Sequence, residues 1–247
     1  MAIIDINCDM GEGMANDEAL MPYISSANIA CGYHAGDTDT IKRTIGLCCQ
    51  YNVAIGVHPS VYDRDDFGRT EMQLGDGALY DLMWEQLQLF AAITKEEGAI
   101  LHHVKPHGAL YNMAARDKGL APFVALAILD TNSKYFLYGL SGSYLVKEGK
   151  NLGLKTVNEV FADRTYKDDG SLTSRSKPGA LIENTDAAIA QVLQMVKEGT
   201  VTSITGKKVP IVSETVCIHG DGEHAVEFAK AIHAALKENN IAIKART

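Results

Sequence analysis

The sequence has little positive charge and no long apolar run, and these two absences exclude several classes of protein. Lysine and arginine number 23 against 31 aspartates and glutamates, so the formal net charge of the 247-residue chain is −8. A chain of this sign lacks the basic surface of a nucleic-acid-binding protein and the polybasic segment that attracts anionic membranes. No apolar stretch approaches the roughly 20 residues of a membrane-spanning helix, and the first residues lack the basic region of a signal peptide. We therefore expect a cytoplasmic protein with no nucleic-acid or membrane partner.

Several nucleotide-binding and metal-binding motifs are also missing. The five cysteines are an odd number and none stands in a CxxC pair, which argues for a reducing compartment and against a structural zinc site. Gly11-Glu-Gly13 follows the first apolar run, but Asn16 stands where a dinucleotide-binding fingerprint requires a third glycine. No P-loop motif occurs either. The sequence therefore contains no recognisable nucleotide site of its own.

The chain does contain a regular alternation of short apolar runs with longer amphipathic segments. Strands are predicted at Ile3–Cys8, Ala27–Cys31, Val53–Val57, Ile100–Lys105, Tyr135–Gly139, Leu154–Asn158 and Val209–Cys217. Helices are predicted at Asp37–Tyr51, Gly75–Gly98, Asn184–Lys197 and Asp221–Asn239. Continuous apolar runs of this length are typical of parallel strands buried on both faces. About seven β-then-α units favour one α/β domain over residues 1–247, a closed or nearly closed (β/α) barrel, with an open doubly wound sheet as the alternative.

Polar and titratable side chains follow nearly every predicted strand. In chain order they include Asn7, Asp9, Glu12, Asn28, His34, His58, Arg69, Lys105, His107, Glu159, Asp163, Arg164, His219 and Asp221. In a parallel barrel the carboxyl ends of the strands meet on one face, where barrel enzymes place their active sites. Six or seven such clusters are hard to obtain by chance, so we expect a single polar rim.

Each of these residues also has a purely structural interpretation. Asp9 could cap a turn, and Glu12 could be a turn residue between two glycines. His58 ends a strand, where a buried structural histidine is nearly as common as a functional one. His34 lies in a loop with two glycines, which permit close backbone approach to a ligand and favour function.

Three stretches carry the most specific chemistry. Lys105 and His107, separated by a proline, offer a cation that polarises a carbonyl and a group that transfers protons. Asp163-Arg164 and the distant Arg175 lie in a long polar stretch that suits binding of a carboxylate or phosphate. His219-Gly-Asp221 resembles a loop leading into a helix N-terminus, which can hold an anion.

Seven segments of the chain resemble, in the same order, those of the LamB/YcsF family. They are Asp5-Ile-Asn7-Cys-Asp9-Met-Gly-Glu12-Gly, Ala27-Asn28-Ile-Ala-Cys31-Gly-Tyr-His34-Ala-Gly-Asp37, Gly56-Val-His58-Pro-Ser60, Phe67-Gly-Arg69, Val104-Lys105-Pro-His107-Gly-Ala-Leu-Tyr111-Asn112, Glu159-Val-Phe-Ala-Asp163-Arg164-Thr-Tyr166 and Cys217-Ile-His219-Gly-Asp221. The resemblance implies a distorted β/α barrel like that of the polysaccharide deacetylases. It also implies a hydrolase that opens the cyclic amide of 5-oxoproline to L-glutamate at the expense of ATP. Two partner subunits, B and C, would activate the lactam by phosphorylation and handle most of the ATP.

Opening a lactam needs an activated water, a stabilised oxyanion and a protonated leaving nitrogen. As hypotheses, we assign these tasks to a catalytic set of Asp9, Glu12, His34, His58, Lys105 and His107. Asp9 or Glu12 would be the base toward water, the histidines would polarise or transfer protons, and Lys105 with Arg164 would hold the substrate carboxylate or phosphate. The substrate-binding set is Asn7, Asn28, Arg69, Glu159, Asp163, Arg164, Arg175, His219 and Asp221.

A divalent metal ion is a separate question. Asp9, His34 and His58 are residue types that bind such an ion, and deacetylases use one Asp and two His for that purpose. Deacetylase histidines share one helix-like spacing, however, whereas His34 and His58 follow different strands, so chemistry with and without a metal both stay open. A stand-alone metal-dependent deacetylase or amidohydrolase is the alternative enzyme. A binding module that only presents substrate is the alternative from another class, which the polar rim disfavours.

Overall fold

Parallel strands close into a barrel in the computed structural model, which describes residues 2–219 and 225–247. In chain order the strands are β1 (Ile3–Met10), β2 (Ser26–Ala30), β3 (Ala54–His58), β4 (Leu101–Val104), β5 (Phe136–Leu140), β6 (Lys155–Phe161), β7 (Thr200–Thr202), β8 (Lys208–Pro210), β9 (Thr215–Ile218) and β10 (Ala242–Ile243). Among the described residues, the barrel order is β1-β2-β3-β4-β5-β6-β9, and β9 pairs back onto β1. The prediction of a barrel with about seven parallel strands is confirmed.

Helices connect these strands. They are α1 (Asp17–Leu20), α2 (Thr38–Tyr51), α3 (Asp76–Glu96), α4 (Gly108–Arg116), α5 (Ala121–Thr131), α6 (Tyr144–Asn151), α7 (Thr185–Glu198) and α8 (Ala225–Glu238). The Asp37 carboxylate accepts a hydrogen bond from the Thr40 amide at 2.8 Å and so caps the N-terminus of α2. Within residues 2–219 and 225–247, no helix has both the length and the apolar character needed to cross a bilayer.

Besides α1, which spans only 4 residues, three helices that the sequence did not reveal are α4, α5 and α6. The segment of α5 reads Ala-Pro-Phe-Val-Ala-Leu-Ala-Ile-Leu, which is apolar on nearly every face and shows no stripe of helical period. The other two span only 9 and 8 residues, too short for a periodic pattern to stand out. The four predicted helices do form, with the last described from Ala225 because residues 220–224 lie outside the described part of the chain.

The predicted strand Val209–Cys217 is wrong in its bounds. The chain instead forms two separate elements there, the outlying strand β8, which pairs antiparallel with β7, and the barrel strand β9. Between them, Val212 donates its amide to the Ser141 hydroxyl and Glu214 donates to the Asn158 carbonyl, so this stretch is tied to the strand ends of the barrel. Pro210 lacks an amide hydrogen and cannot continue a ladder, which gives the physical reason for the break.

The two faces of the barrel strands differ in chemistry. On β1, the hydrophobic core contains Ile4, Ile6, Cys8 and Met10. The alternate residues Asp5, Asn7 and Asp9 are also buried, but their side chains form hydrogen bonds across the inside of the barrel to β2 and β9 or their flanks. The strands are therefore buried on both faces, as predicted, yet the inner face is largely polar.

Candidate active site

Lys105 follows β4 directly and lies at the centre of the polar interior. Its Nζ is 2.8 Å from Asp9 Oδ1 and 2.9 Å from Glu159 Oε1, and it donates to Asn7 Oδ1 at 3.1 Å and to Cys217 Sγ at 3.2 Å. Burial alone would lower the pKa of Lys105, but Asp9, Cys217 and Glu159 together raise it well above its ordinary value. Lys105 is therefore an ammonium ion at neutral pH, although only 2% of the residue is exposed.

Asp9, near the end of β1, is the ionised partner of this lysine. Its Oδ1 accepts from Lys105 and from the Asn28 amide group, each at 2.8 Å, while its Oδ2 lies 3.4 Å from His58 Nε2. Burial would raise the pKa of Asp9, but its interactions with His58 and Lys105 outweigh burial and hold that pKa well below its usual range. One oxygen is thus committed to neighbours, and the other faces the histidines.

Two asparagines fix Asp9 and Lys105 from below. The Asn28 Nδ2 group donates to both Asn7 Oδ1 and Asp9 Oδ1 at 2.8 Å, so its Oδ1 must be an acceptor. His103 Nε2 lies 2.8 Å from that oxygen and therefore carries the donated proton. The network leaves each polar group in one orientation, which preorganises the ion pair above it.

Three histidines gather beside Asp9. His58 Nδ1 lies 2.6 Å from the Lys105 carbonyl, His107 Nε2 lies 2.9 Å from the Phe67 carbonyl, and the two rings meet through His58 Nε2 and His107 Nδ1 at 2.9 Å. The His34 ring stacks on His107, with centroids 3.9 Å apart and planes within 3°. Burial, helped by His58, lowers the pKa of His34 to about 3 and that of His107 well below its ordinary value.

Glu12 points into this histidine cluster. Its Oε1 lies 3.2 Å from His34 Nε2, 3.5 Å from His107 Nδ1 and 3.9 Å from His58 Nε2. The ligand atoms of these four residues all lie within 4.8 Å of one another, which makes the cluster a candidate metal centre. The predicted metal set was Asp9, His34 and His58; the geometry instead groups Glu12 with the three histidines, and places Asp9 at its edge through the contact with His58.

Gly68 brings the loop after β3 against the histidines. It has a positive φ of 69°, and a Cβ there would lie 2.3 Å from Ser60 Oγ and 2.9 Å from both His107 Cδ2 and His34 Cβ. Only glycine fits this close approach without moving the rings. The Phe67 carbonyl that holds His107 depends on this turn.

Arg164 and Arg175, on the long loop after β6, form a cationic wall of the cavity that His58 and His107 also line. Arg164 is 6% exposed and donates to the Thr173 carbonyl at 2.5 Å, and its Nε has no hydrogen-bond partner among the described residues. Burial, followed by repulsion from Arg175, lowers the pKa of Arg164 to about 10. A buried guanidinium with unused donor capacity is suited to a carboxylate or phosphate.

His219 links this wall to the barrel. Arg175 Nη2 lies 2.9 Å from His219 Nε2, and because a guanidinium only donates, that nitrogen is the acceptor. The proton of the neutral ring is then on Nδ1, which lies 2.6 Å from Asp163 Oδ2. His219 also stacks on Phe161, so the ring is held on three sides.

The ion pair, the histidines and the wall enclose a pocket of about 300 Å³. Of the predicted residues, those that line it are Asp9, Glu12, His58, Arg69, Lys105, His107, Arg164, Arg175 and His219. The expected single polar rim is therefore present, and it combines a buried ion pair, a histidine cluster and a cationic wall.

Comparison with known proteins agrees with this arrangement. The profile described as the LamB/YcsF family matches residues 4–247. The chain belongs to this family. The A subunit of 5-oxoprolinase from Tolumonas auensis is 50% identical over 250 residues, which cover 99% of this chain and 100% of that protein. The crystal structure of the lactam utilization protein from Thermus thermophilus superposes with a TM-score of 0.93 at 37% identity, covering 99% of this chain and 100% of that one.

A more remote structure bears on the fold alone. Peptidoglycan deacetylase from Bacillus subtilis has a TM-score of 0.51 at 10% identity and covers 98% of this chain and 87% of its own. The predicted polysaccharide-deacetylase-like barrel is confirmed by this likeness.

The remaining predicted residues of this LamB/YcsF protein do not line the pocket. Asn7, Asn28, His34, Glu159 and Asp163 contact the lining residues from behind. They are placed to orient other side chains rather than to touch a ligand. Asp221, predicted to bind substrate, lies outside the described residues.

Sequence reasoning assigned no role to several residues of the site. Tyr111 and Phe161 line the pocket, and Cys217 contacts Lys105. All three stand inside the segments that resemble the family, so a signal for them existed. Arg116, paired with Glu71 at the pocket, lies on no such segment and could not be found that way.

Proposed function

We propose that this chain is the A subunit of an ATP-dependent 5-oxoprolinase, a hydrolase that opens the lactam ring of 5-oxoproline to L-glutamate. The observation that carries the proposal is the pocket itself, which is lined both by the buried Lys105–Asp9 ion pair and by the Arg164 guanidinium. A volume of about 300 Å³ lies at the lower end of small-molecule sites and suits a small polar substrate. The identity of 50% with a protein named as the A subunit of 5-oxoprolinase supports the same substrate.

The reaction assigns a task to each group of residues that lines the pocket. Water adds to the lactam carbonyl carbon, the bond from that carbon to nitrogen breaks, and the nitrogen leaves with a proton as the amine of glutamate. Lys105 stabilises the negative charge that develops on the carbonyl oxygen, as a preorganised cation in a water-poor site does. Asp9, through Oδ2, accepts the proton of the attacking water.

In the metal-free site, protonation of the leaving nitrogen falls to the histidine pair. His58 and His107 both line the pocket and share a contact of 2.9 Å, so a proton can pass between them. His34 supports His107 by stacking and does not reach the pocket. Glu12, the alternative base, is directed at the histidines rather than at the lysine.

The substrate carboxylate binds at the cationic wall. Arg164 offers its buried guanidinium, and Arg175, held by His219, offers a second cation at the same wall. Arg69 and His219 complete the set on the lining. The carboxylate and the lactam carbonyl are then held by different residues of the lining, which orients the ring before attack.

We also propose how the reaction is divided between the subunits of the assembly. Partner subunits B and C transfer a phosphoryl group from ATP to the lactam oxygen, which makes the ring carbon a better electrophile. Once water has added to that carbon and the bond to nitrogen has broken, the resulting acyl phosphate is hydrolysed to glutamate and inorganic phosphate. Nucleotide binding is placed on these partners because no P-loop occurs in this sequence. We further propose a single domain over residues 1–247 that works in the cytoplasm.

The test is ATP-dependent glutamate formation from 5-oxoproline by the three subunits, with and without this chain. We expect glutamate only when ATP and all subunits are present. Two matched variants, Lys105→Met in the pocket and Lys150→Met on the surface, distinguish loss of a catalytic group from a general effect of replacing a lysine by methionine. Glutamate formed equally well without the chain, or with Lys105→Met, would reject the proposal.

The alternative is a metal-dependent deacetylase or amidohydrolase that works alone. The cluster of Glu12 with three histidines favours it, since metal-dependent hydrolases use such donors. It requires release of acetate or amine from N-acyl substrates without ATP. Activity of that kind in the isolated chain, and none on 5-oxoproline with the partners, would establish the alternative.

A further inference from the structure

Backbone carbonyls fix the protons of two histidines in the pocket. The Lys105 carbonyl lies 2.6 Å from His58 Nδ1, and the Phe67 carbonyl lies 2.9 Å from His107 Nε2. A carbonyl can only accept, so each of these outward nitrogens carries a hydrogen. Histidines that bind metals are held in this way, with the outer N–H donated to a carbonyl or carboxylate.

The consequence is that two lone pairs face each other. In the neutral rings, His58 Nε2 and His107 Nδ1 are both acceptors, yet they are only 2.9 Å apart. Two acceptors at this distance need a positive centre between or beside them. A single proton can bridge one such pair, whereas a metal ion accepts several lone pairs at once.

Glu12 supplies a third lone pair directed at the same space. Its Oε1 is 3.5 Å from His107 Nδ1 and 3.9 Å from His58 Nε2. Ligand atoms around a tetrahedral ion with bonds of about 2.1 Å are about 3.4 Å apart. The separations of 2.9, 3.5 and 3.9 Å bracket that value, so movements of a few tenths of an ångström complete the site.

His34 belongs to the cluster but not to the ligand set. Its ring is parallel to that of His107 within 3°, at 3.9 Å between centroids. Lone pairs lie in the ring plane, so two rings stacked face to face cannot both direct a lone pair at one ion. The rings of His58 and His107 are instead inclined at 83°, which allows both to point at the same centre.

Charge in the floor of the pocket favours a further cation. The buried ammonium of Lys105 contacts both Asp9 and Glu159, while Glu12 adds a third carboxyl group nearby. Asp9 Oδ1 already accepts hydrogen bonds from Lys105 and Asn28. Asp9 is therefore poorly placed to act as the metal ligand that the predicted set of Asp9, His34 and His58 requires.

We propose that Glu12, His58 and His107 bind one divalent first-row transition-metal ion, such as Zn²⁺ or Mn²⁺, at the floor of the pocket. Two imidazoles and one carboxylate are a ligand set that these ions accept. All three residues line the pocket, which leaves an open coordination position toward it. Such an ion supplies a Lewis acid for a carbonyl oxygen or lowers the pKa of a bound water.

The experiment measures metal binding without substrate, ATP or partners. The untagged full-length chain is stripped with a chelator and titrated with Zn²⁺, Mn²⁺ and Co²⁺ by calorimetry, and retained metal is counted by mass spectrometry. The visible spectrum of Co²⁺ reports whether imidazole is bound. Thermal unfolding without metal checks that each variant folds.

We expect about one equivalent of metal in the wild type, and at least a hundredfold weaker binding in Glu12→Gln, His58→Gln and His107→Gln. His34→Gln, at a residue that contacts Glu12, should weaken binding by about tenfold, less than the ligand variants, and His102→Gln, a histidine outside the cluster, should not change it. Using three ligand variants keeps the test decisive if one of them fails to fold.

Two results would overturn the inference. One is a wild-type chain that binds none of the three ions, which would mean that a shared proton bridges His58 and His107. The other is equal loss of binding in His34→Gln and in the ligand variants, which would mean that the stacked ring is a ligand. Because no turnover is measured, a failure of the 5-oxoprolinase proposal leaves this outcome unaffected, and the reverse also holds.

Discussion

Lys105 shows how one buried side chain organises the site at the scale of a residue. It compensates two buried carboxyl groups and contacts four side chains at once. Removing one partner of a buried ion pair leaves the other without compensation and costs about 3–5 kcal/mol. We therefore expect Lys105→Met to lower the free energy of unfolding by that amount in urea titrations. Glutamate formation should fall about a thousandfold, because the cation that stabilises the oxyanion is lost.

A second substitution separates these two effects. Glu159 is fully buried and meets Lys105 at 2.9 Å, so Glu159→Gln removes one of the stranded carboxylates. The double variant Lys105→Met/Glu159→Gln should recover part of the stability but none of the activity. Recovery of activity in the double variant would show that Lys105 serves only to balance charge.

Arg164 is the residue whose contribution should appear in substrate affinity. The planar guanidinium can grip a carboxylate with two parallel hydrogen bonds, which an ammonium cannot do. Arg164→Lys should therefore raise the KM for 5-oxoproline by about 10–100-fold, equivalent to about 1.5–3 kcal/mol, with a much smaller change in kcat. Steady-state kinetics of the reconstituted complex measure the split, and Arg116→Lys, at a residue paired with Glu71 at the pocket mouth, serves as the control. Equal effects on KM in both variants would remove Arg164 from the carboxylate site.

At the scale of elements, the contact between β3 and β4 determines how side chains of the site are positioned. Gly56 on β3 pairs with His103 on β4, and a Cβ at Gly56 would lie 2.1 Å from His103 Nε2. That nitrogen orients Asn28, which in turn holds Asp9. Gly56→Ala should therefore destabilise the protein by about 1–3 kcal/mol or more through overpacking, and should lower activity as well.

Gly46 on α2 provides the matched control for this prediction. A Cβ there has nothing within 4 Å, so Gly46→Ala should stabilise the protein by roughly 0.5–1 kcal/mol and leave activity unchanged. Chemical unfolding and glutamate formation are measured on both variants. A Gly56→Ala protein as stable and active as Gly46→Ala would show that His103 moves aside without consequence.

The elements also show what the sequence could and could not reveal. Strands such as Ala54–His58 and Phe136–Leu140 were predicted within one residue. Short apolar runs followed by polar residues are compatible with few structures other than a buried strand. The break at Pro210 was missed since Val209, Ile211 and Val212 read as one apolar run. The strand ends correctly predicted the polar rim, but no single-residue pattern separates Arg164, which lines the pocket, from Asp163, which stands behind it. That difference depends on how the long loop after β6 folds back.

At the scale of the whole molecule, the barrel interior is a continuous polar network. Asp5 accepts from the hydroxyls of Ser25, Ser26 and Thr215 at 2.5–2.8 Å. Thr215 in turn accepts from Asn7, whose side-chain oxygen contacts Lys105. The chain of contacts therefore extends from the lower part of the barrel to the pocket. Many other parallel barrels fill the same interior with layers of branched apolar side chains. Such a network specifies one arrangement only if every member is satisfied, and Asp5 is the carboxyl group at its lower end.

The pH dependence of stability tests this network. Burial raises the pKa of Asp5 above its ordinary value of 3.8, against the opposing effect of the hydroxyl donors. The folded state then holds the proton more tightly than the unfolded chain does. As pH rises from about 3.8 through the folded pKa, the contribution of Asp5 to the free energy of unfolding must fall, and above that window it stays constant. Asp5→Asn cannot titrate, so its advantage over the wild type should grow across the same window.

Urea titrations of the wild type and Asp5→Asn from about pH 3 to about pH 8 measure this difference. Asp168→Asn gives a control of opposite sign, because hydrogen bonds from Ser203 and Thr205 lower the pKa of Asp168. The stability that Asp168 contributes is present above about pH 3.8 and is lost as pH falls through its folded pKa. Asp9 has a depressed pKa as well, but it is common to all three proteins and cancels from the differences. Parallel curves for the wild type and Asp5→Asn would mean that the hydroxyl donors fully offset burial, and that the barrel interior holds a carboxylate at no cost in stability.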